Sequence, residues 1–496
     1  MTASGTNRDS GTAGGTWTAA WELLLPAAGA PARGRGRALQ SALRDAVRSG
    51  RLTAGTRLPS SRELALDLGV SRGLVTEAYE QLTAEGYLRS GRGAGTWVSE
   101  AVRSAAPPRA RDLAPRGPGA LVDFRAGTPD LSLFPRTTWA AAHRSALDGL
   151  PHRALGYPDP RGLPELRTAL AGLLGRRRGV AADPERIVVC SGVAQALTLV
   201  AQVLRGRGLS QVAVEDPGSP EHGALFEAAG LTASPVPLDD EGPSLSSLER
   251  SGARLVVTTP AHQFPTGMAV TPARRAGLLA WARAVDGYVV EDDYDGDFRY
   301  DRAPVGALQG LDPERVIYTG SVSKSLAPGL RLGWLAAPSA LAAELAGRKR
   351  TTDLGNAALD QAALAEMVTS GAYDRQLRRC GRAYRERRDV LVAELEEHFP
   401  GTRISGIAAG LHIIARLPER YGPEPGFLAR ARRAGVELRS LADYRTGQES
   451  AVPPDAAELS GGRGAVHLVL GYAHLAPSAI AHGVRLLAHA VRTSSP

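Results

Sequence analysis

The sequence predicts two folded units in series. The first is small and mostly helical. The second is a large α/β unit with a mostly parallel sheet, closed by a smaller C-terminal α+β part. Three observations predict this. Residues 38–98 carry short amphipathic helical patterns that end in a glycine-rich alternating stretch. Residues 101–120 hold four prolines and no apolar periodicity, so they read as an extended linker. From about 121 onward, short apolar runs alternate with helical patterns of ten or more residues, as parallel strands joined by crossover helices do.

Composition sets the outer bounds. The chain has 496 residues, 43% hydrophobic and 22% charged, which excludes a mostly disordered, fibrous or collagenous protein. No apolar run approaches the roughly 18–20 residues that a membrane span needs. Residues 1–16 are mainly Gly, Ser, Thr and Ala and are expected to be a disordered tail. They lack the apolar centre of a secretory signal. Two cysteines, Cys190 and Cys380, make neither a disulfide framework nor a four-cysteine zinc site, so a reducing cytoplasm is expected. The net charge of +8 permits contact with nucleic acid without requiring it. Of 59 basic residues, only Lys324 and Lys349 are lysines, so chemistry that needs a lysine amine has two candidates.

The first unit is expected over 17–100. Residues 38–52 read as an amphipathic helix that ends near Gly50. Ser60 and Glu63 have capping-box spacing and start a short helix with Leu64 and Leu68 inward. Gly69 is placed to stop it in a left-handed conformation. Ser71 caps a second helix over 72–85, with Leu74, Val75, Ala78 and Leu82 on one face. Two short helices joined by a tight turn form a helix-turn-helix. Leu88 to Val98 alternates around Gly91, Gly93 and Gly95, as a β-hairpin wing does. Arg72, Gly73 and Thr76 would be presented to a major groove, while Arg57, Arg62, Arg89 and Arg92 could hold phosphates. Residues 1–100 contain 12 arginines and 9 acids, so charge alone does not separate a DNA-binding unit from another helical domain.

In the large unit, 121–496, the strand candidates are 186–190, 211–215, 254–259, 287–293, 315–321 and 330–337. Ligands in such sheets bind beyond the carboxyl ends of the strands. Residues 356–399 read as long helices and 400–496 as the smaller part, with a subdomain boundary at about 375.

The strand ends carry the chemistry. Lys324 follows the 315–321 run among Ser321 and Ser323, where an amine can form a Schiff base with a carbonyl. Taken alone, a lysine is more simply a surface amine in an ion pair. Ser321, Ser323 and Arg331 offer an anion site beside it. Ser191 and Gly192 precede a helix that starts near 193, so the N–H groups of Val193 and Ala194 can bind a phosphate. Asp292 closes another strand and can face a pyridine nitrogen, with Tyr294 beside a phenolic oxygen. The same acids also read as a solvated strand end or a divalent-cation site, though they lack the spacing of a calcium loop. His262 either sits beside a cofactor ring or is a satisfied structural histidine.

Family resemblances sharpen both readings. The stretches LPSSR (58–62), LGVSR (68–72), AYEQL (78–82) and EGYL (85–88) resemble the GntR-type winged helix, which implies promoter DNA binding with Arg57, Ser60, Arg62, Ser71, Arg72, Thr76, Arg89 and Arg92 at the contact surface. The spacing of Lys324, Arg331, Asp292, Tyr294 and the Gly192 turn resembles fold-type I aminotransferases. It implies pyridoxal 5′-phosphate (PLP) on Lys324, and no metal. Tyr157 in GYPDPRG matches a tyrosine that those enzymes send to the other subunit's phosphate, which implies a homodimer.

The combination resembles the MocR family of transcriptional regulators, with further matches in EDPG (215–218), HQFPTG (262–267), EDDYDGDFRY (291–300) and LGYA (470–473). The resemblance implies a regulator that senses PLP or an amino-acid-like effector and controls vitamin B6 or amino-compound metabolism. It also implies a dimer in which each DNA-binding domain packs on the other subunit's large domain. A catalytically active aminotransferase is the alternative. Three departures stand out. Ser219 replaces a frequent aromatic residue, Glu221 lies near a frequent basic position, and Val469 stands where an arginine often grips a carboxylate. Arg463, Arg445 and Arg439 are the candidate substitutes for that arginine.

Overall fold

A computed structural model of the chain describes residues 30–31, 33–91, 95–101, 121–301, 305–446 and 465–492. The expected tail and nearly all of the expected linker lie outside the described residues, as do Arg92 and Arg463. The chain divides near residue 117 into two compact units.

The first unit is built on three helices and a small sheet. Helix α1 (Arg35–Arg48) buries Leu39, Leu43, Ala46 and Val47, a stripe at helical spacing. It ends at Arg48, close to the expected end near Gly50, which follows at φ +75°. Strand β1 (Arg57–Leu58), which the sequence reading lacks, precedes α2 (Ser61–Leu68). The capping box at the start of α2 is present. Glu63 N donates to Ser60 Oγ at 3.2 Å, and Ser60 N donates to Glu63 Oε2 at 2.9 Å. Gly69, at φ +62°, ends the helix in the left-handed region. Helix α3 (Arg72–Ala84) starts at Ser71, whose Oγ accepts from Leu74 N. Its buried face is Val75, Ala78, Tyr79 and Leu82; Leu74 is only half-buried. Strands β2 (Leu88–Gly91) and β3 (Gly95–Val98) pair antiparallel, and β1 lies on the other side of β3.

The second unit is organised by a sheet that, among the described residues, has eight strands. These are β5 (Ile187–Cys190), β6 (Gln211–Asp216), β7 (Thr232–Asp239), β8 (Gly242–Pro243), β9 (Leu255–Thr258), β10 (Tyr288–Asp292), β11 (Val316–Ser321) and β12 (Gly333–Ala336), preceded in the chain by β4 (Val122–Asp123), which pairs elsewhere. Their order is β5-β12-β11-β10-β9-β6-β7-β8. Strands β11, β10, β9, β6 and β7 run parallel, and β10 is buried along nearly its whole length, as a sheet covered on both faces requires. Helix α4 (Arg136–Gly149), α5 (Pro164–Arg178), α6 (Val193–Gly206), α7 (Pro220–Ala228), α8 (Leu245–Arg250), α9 (Pro272–Ala284), α10 (Ser339–Asp353) and α11 (Ala358–Thr369) accompany it.

Two features depart from the sequence reading. The 330–337 run contributes β12, which is antiparallel to both β11 and β5. The connection from β11 is too short for a crossover, so the chain turns back on itself. That short connection carries Lys324 and Arg331. Strand β7 carries Pro235 and Pro237, which lowered its strand signal; it tolerates them because only the two-residue β8 lies outside it.

The C-terminal part begins with the long helix α12 (Ala372–His398). A break at Gly371, φ +69°, separates it from α11, so the expected 356–399 helical stretch is two helices. An antiparallel sheet of β13 (Arg403–Ser405), β14 (His412–Leu417), β16 (Arg439–Ser440) and β17 (Val466–Gly471) follows, with α13 (Glu424–Arg433) and α14 (Pro477–Arg492) against it. Strand β15 (Val436–Glu437) pairs with β4. No helix among the described residues is long and apolar enough to cross a membrane.

Candidate functional site

The carboxyl ends of β10 and β11, the start of α6 and the 439–444 segment enclose a cavity of about 550 Å³. Lys324 lies in its wall, immediately after β11, and its Nζ donates to Gly127 O at 2.5 Å. Burial pushes the Lys324 amine below its ordinary pKa, against the pull of Asp295, Asp292 and Glu221. That shift increases the fraction of neutral amine, the form that attacks a carbonyl. The other lysine is elsewhere: Lys349 is buried on α10 and bonded to Asp353 at 2.6 and 2.8 Å.

The acids at the end of β10 diverge, because successive side chains on a strand point to opposite faces. Glu291 accepts from the N–H groups of Leu308 and Gln309, and burial pushes its carboxyl up to about 7. Asp293 is forked by Arg178, at 2.6 Å to Nε and 3.0 Å to Nη2, and accepts from the Tyr318 hydroxyl at 2.6 Å. Asp292 alone faces the cavity, with His222 Nε2 3.0 Å from its Oδ2. Its Oδ1 is buried and has no hydrogen-bond partner. Three carboxylates aimed at three different partners do not form a cation site.

Opposite Asp292 lies an anion cradle. Gly192, at φ +86°, precedes α6, and no side chain caps the helix start. A Cβ at Gly192 would lie 3.0 Å from the Arg331 guanidinium, so only glycine lets that side chain lie against the turn. Arg331 itself adopts a left-handed conformation, φ +51°, and donates to Ser191 O. Val193, Ala194, Ser321, Ser323 and Arg331 all line the cavity.

Tyr294 lines the cavity too, and His262 stands behind it. His262 Nδ1 lies 3.0 Å from the Tyr294 hydroxyl and 2.9 Å from Asp295 Oδ2, and His262 is not part of the cavity wall. Tyr157 is 89% exposed and does not line the cavity of its own chain. Ser219 and Glu221 lie at the rim, with Ser219 Oγ 2.8 Å from Glu221 Oε2. Of the three candidate arginines, Arg439 lines the cavity, Arg445 does not, and Arg463 lies outside the described residues.

Sequence reasoning gave no role to several wall residues, among them His222, Phe264, Tyr444 and Arg125. Two of them lay inside or beside motifs already noted, HQFPTG and EDPG. Tyr444 and Arg125 carried no local signal.

In the first unit, Arg57, Ser60, Arg62, Ser71, Arg72 and Arg89 are exposed. The Thr76 hydroxyl is half-buried and donates to Arg72 O at 3.0 Å. Arg57 and Arg89 flank the Trp97 ring, each 5.9 Å from its centroid, and Arg89 pairs with Glu100 at 3.0 Å.

Comparison with known proteins agrees with both halves. Residues 36–98 match the bacterial regulatory proteins of the gntR family, whose members bind promoter DNA, and residues 121–420 match aminotransferase class I and II. The probable rhizopine catabolism regulatory protein MocR of Rhizobium meliloti is 34% identical over 476 residues, covering 91% of this chain and 92% of the relative. The HTH-type pyridoxine biosynthesis transcriptional regulator PdxR of Corynebacterium glutamicum is 33% identical, covering 82% and 88%. Kynurenine aminotransferase of Pyrococcus horikoshii superposes with a TM-score of 0.65 at 26% identity, covering 76% of this chain and 92% of that one. The cofactor of this aminotransferase class is pyridoxal 5′-phosphate. A GntR-type winged helix joined to an aminotransferase class I and II domain places the chain in the MocR-type family of transcriptional regulators, to which it belongs.

Proposed function

We propose that this regulator holds PLP at Lys324 and reads the cofactor, or an amino compound that reacts with it, as its signal. The observation that carries the reading is the cavity itself. Its lining brings together a half-buried amine, a carboxylate with one unsatisfied oxygen and an anion cradle.

The residues fit the cofactor. Asp292 Oδ1 lacks a donor that a protonated pyridine nitrogen would supply, while His222 holds the other oxygen in place. The uncapped N–H groups at Val193 and Ala194, the hydroxyls of Ser321 and Ser323 and the Arg331 fork suit a phosphate. Tyr294 is positioned by His262 to face the ring's phenolic oxygen. When bound, PLP supplies an electron sink and an aldehyde. The protein supplies a desolvated amine at Lys324, orientation and charge.

DNA contact is assigned to Arg57, Ser60, Arg62, Ser71, Arg72, Thr76 and Arg89, and to Arg92. The effector acts by population shift, favouring one arrangement of the DNA-binding units to the extent of its differential affinity. By likeness to the Corynebacterium relative, control of vitamin B6 or amino-compound metabolism is the proposed physiological role, in the cytoplasm. A homodimer is proposed as well. Tyr157, 89% exposed, and Leu155, 55% exposed, are apolar groups suited to a second copy's surface.

The test is a promoter-binding titration with and without PLP, with the absorbance of the lysine-bound cofactor followed in parallel. PLP should add long-wavelength absorbance and change promoter affinity over the same concentration range. Absorbance without any change in DNA binding would overturn the sensor role. Turnover of an amino donor and a keto acid at ordinary enzyme rates would support catalysis instead.

A further inference from the structure

Behind the anion cradle lies a set of side chains to which the assignment above gives no role. It centres on Ser191, the residue before the Gly192 turn. Three separate groups fix Ser191. Its N–H donates to Gln195 Oε1 at 2.7 Å, its carbonyl accepts from Arg331 Nη2, and its hydroxyl accepts from Asn356 Nδ2 at 3.0 Å.

Gln195, in the first turn of α6, is the link outward. Its Oε1 takes the Ser191 N–H, which leaves the N–H groups of Val193 and Ala194 to the cavity. Its Nε2 donates to Asp353 Oδ2 at 2.6 Å. Lys349, wholly buried on α10, donates from Nζ to both oxygens of that carboxylate, at 2.8 and 2.6 Å. A continuous path of hydrogen bonds therefore runs from Lys349 through Asp353, Gln195 and Ser191 to Arg331, whose side chain lines the cavity.

Helix stability does not account for this path. Asp353 is the last residue of α10, where the helix dipole disfavours a carboxylate. Burial also acts to raise its pKa. The bonds from Lys349 and Gln195, the Gly355 N–H at 3.0 Å and the Lys349 charge outweigh burial and hold the pKa below its ordinary value. Lys349 in turn is an ammonium taken out of water, which is costly unless it is paired. The two helices have another tie at their far ends, where Arg207, just after α6, donates from Nε to Glu344 Oε1 at 3.0 Å.

We propose that Gln195, Asp353 and Lys349 are positioning residues of the cradle. They set the Ser191–Gly192 turn and, through the Ser191 carbonyl, the Arg331 fork, so that the site is shaped for a phosphate monoester before one binds. None of the three lines the cavity, so each acts through Ser191. This rests on the cofactor reading above.

The full-length protein is titrated with PLP and with pyridoxal, the same aldehyde without the phosphate. The long-wavelength absorbance gives a half-saturating concentration for each. Pyridoxal behaves alike in free solution for every variant, so the pyridoxal-to-PLP ratio is compared between variants. Gln195→Met keeps the side-chain length and removes both bonds. It should raise the PLP half-saturation point about 10-fold and move the pyridoxal point less than about 2-fold. Lys349→Met should lower the ratio as well, and the double variant should add little to Gln195→Met, because the path is already cut. Saturating PLP should still develop the absorbance in every variant, since Lys324 is untouched. Arg207→Gln loosens the same two helices away from the cradle and should leave the ratio at its wild-type value. An unchanged ratio in Gln195→Met, an equal fall in Arg207→Gln, or fully additive losses in the double variant would overturn the positioning role, whatever the melting temperatures. If Lys349→Met does not fold, Gln195→Met, at a half-buried site, decides alone. Absence of long-wavelength absorbance in the wild type with either aldehyde would overturn the cofactor reading itself, and the proposal with it.

Discussion

His222 Nε2 lies 3.0 Å from Asp292 Oδ2, both groups are buried, and Oδ1 of the same carboxylate has no partner. The imidazole fixes one oxygen and leaves the other presented to the cavity. Burial alone would lower the His222 pKa, but the bond and charge of Asp292, with Glu215 and Glu221, raise it above its ordinary 6.5.

That relationship gives a pH prediction with two arms. A raised imidazole stabilises the fold fully below its ordinary value, and the contribution is lost as pH climbs through the raised one. His412 behaves oppositely. Burial and the neighbouring His262 depress it from 6.5 to about 4, so the unfolded chain takes up a proton that the folded one refuses. The His412 contribution should therefore fall as pH drops from 6.5 toward 4, and the His222 contribution should fall on the alkaline side of 6.5. Urea unfolding across pH should show the acid arm flattened in His412→Gln and the alkaline arm flattened in His222→Phe. Arms that persist in both variants would refute these assignments.

The two lysines should separate cleanly. Lys324→Ala should abolish the long-wavelength absorbance after PLP addition, with little change in melting temperature. Lys349→Ala should keep the absorbance and lose stability by about 1–3 kcal/mol, since Asp353 loses a partner at 2.6 Å. Absorbance and thermal melting on the same samples decide it.

Beneath the cavity, Arg178 and Asp293 form a buried fork, with side chains 2% and 3% exposed. Removing one partner leaves a buried charge alone and should cost about 3–5 kcal/mol. Asp293→Asn and Arg178→Met should each lower the urea midpoint sharply, and the double variant should lose less than the sum of the two. Additive losses would show that the pair does not act as a unit.

In the DNA-binding unit, fold and contact can be tested apart. Ser60→Ala removes the capping box of α2 and should cost about 0.5–2 kcal/mol of stability. Arg72→Ala removes an exposed side chain at the start of α3 and should leave stability unchanged while weakening promoter binding by about 1–3 kcal/mol if it reads a base. Unchanged binding by Arg72→Ala would remove that residue from the contact surface.

Much of this was legible before the fold was known, because it depends on neighbours in sequence. The Ser60–Glu63 cap, the Gly69 stop and the Gly192 turn each involve a few adjacent residues whose backbone preferences act alone. The position of Lys324 after a strand was equally plain. His222 was less so, since its meaning depends on Asp292, 70 residues away. His262 was read as either a ring neighbour or a satisfied structural histidine, and it stands one layer back, bonded to Asp295 and to the Tyr294 hydroxyl.

By itself, then, the sequence determined the order of the two units, the family and the elements that carry Lys324, Asp292 and Arg331, because local periodicity and capping act over one or two turns of chain. Tertiary structure alone decided which acid of Glu291, Asp292 and Asp293 faces the cavity and which of Arg439 and Arg445 reaches it. Strand pleat, antiparallel register and the ties from Gly218 to Tyr444 set those outcomes, and each joins residues far apart in the chain.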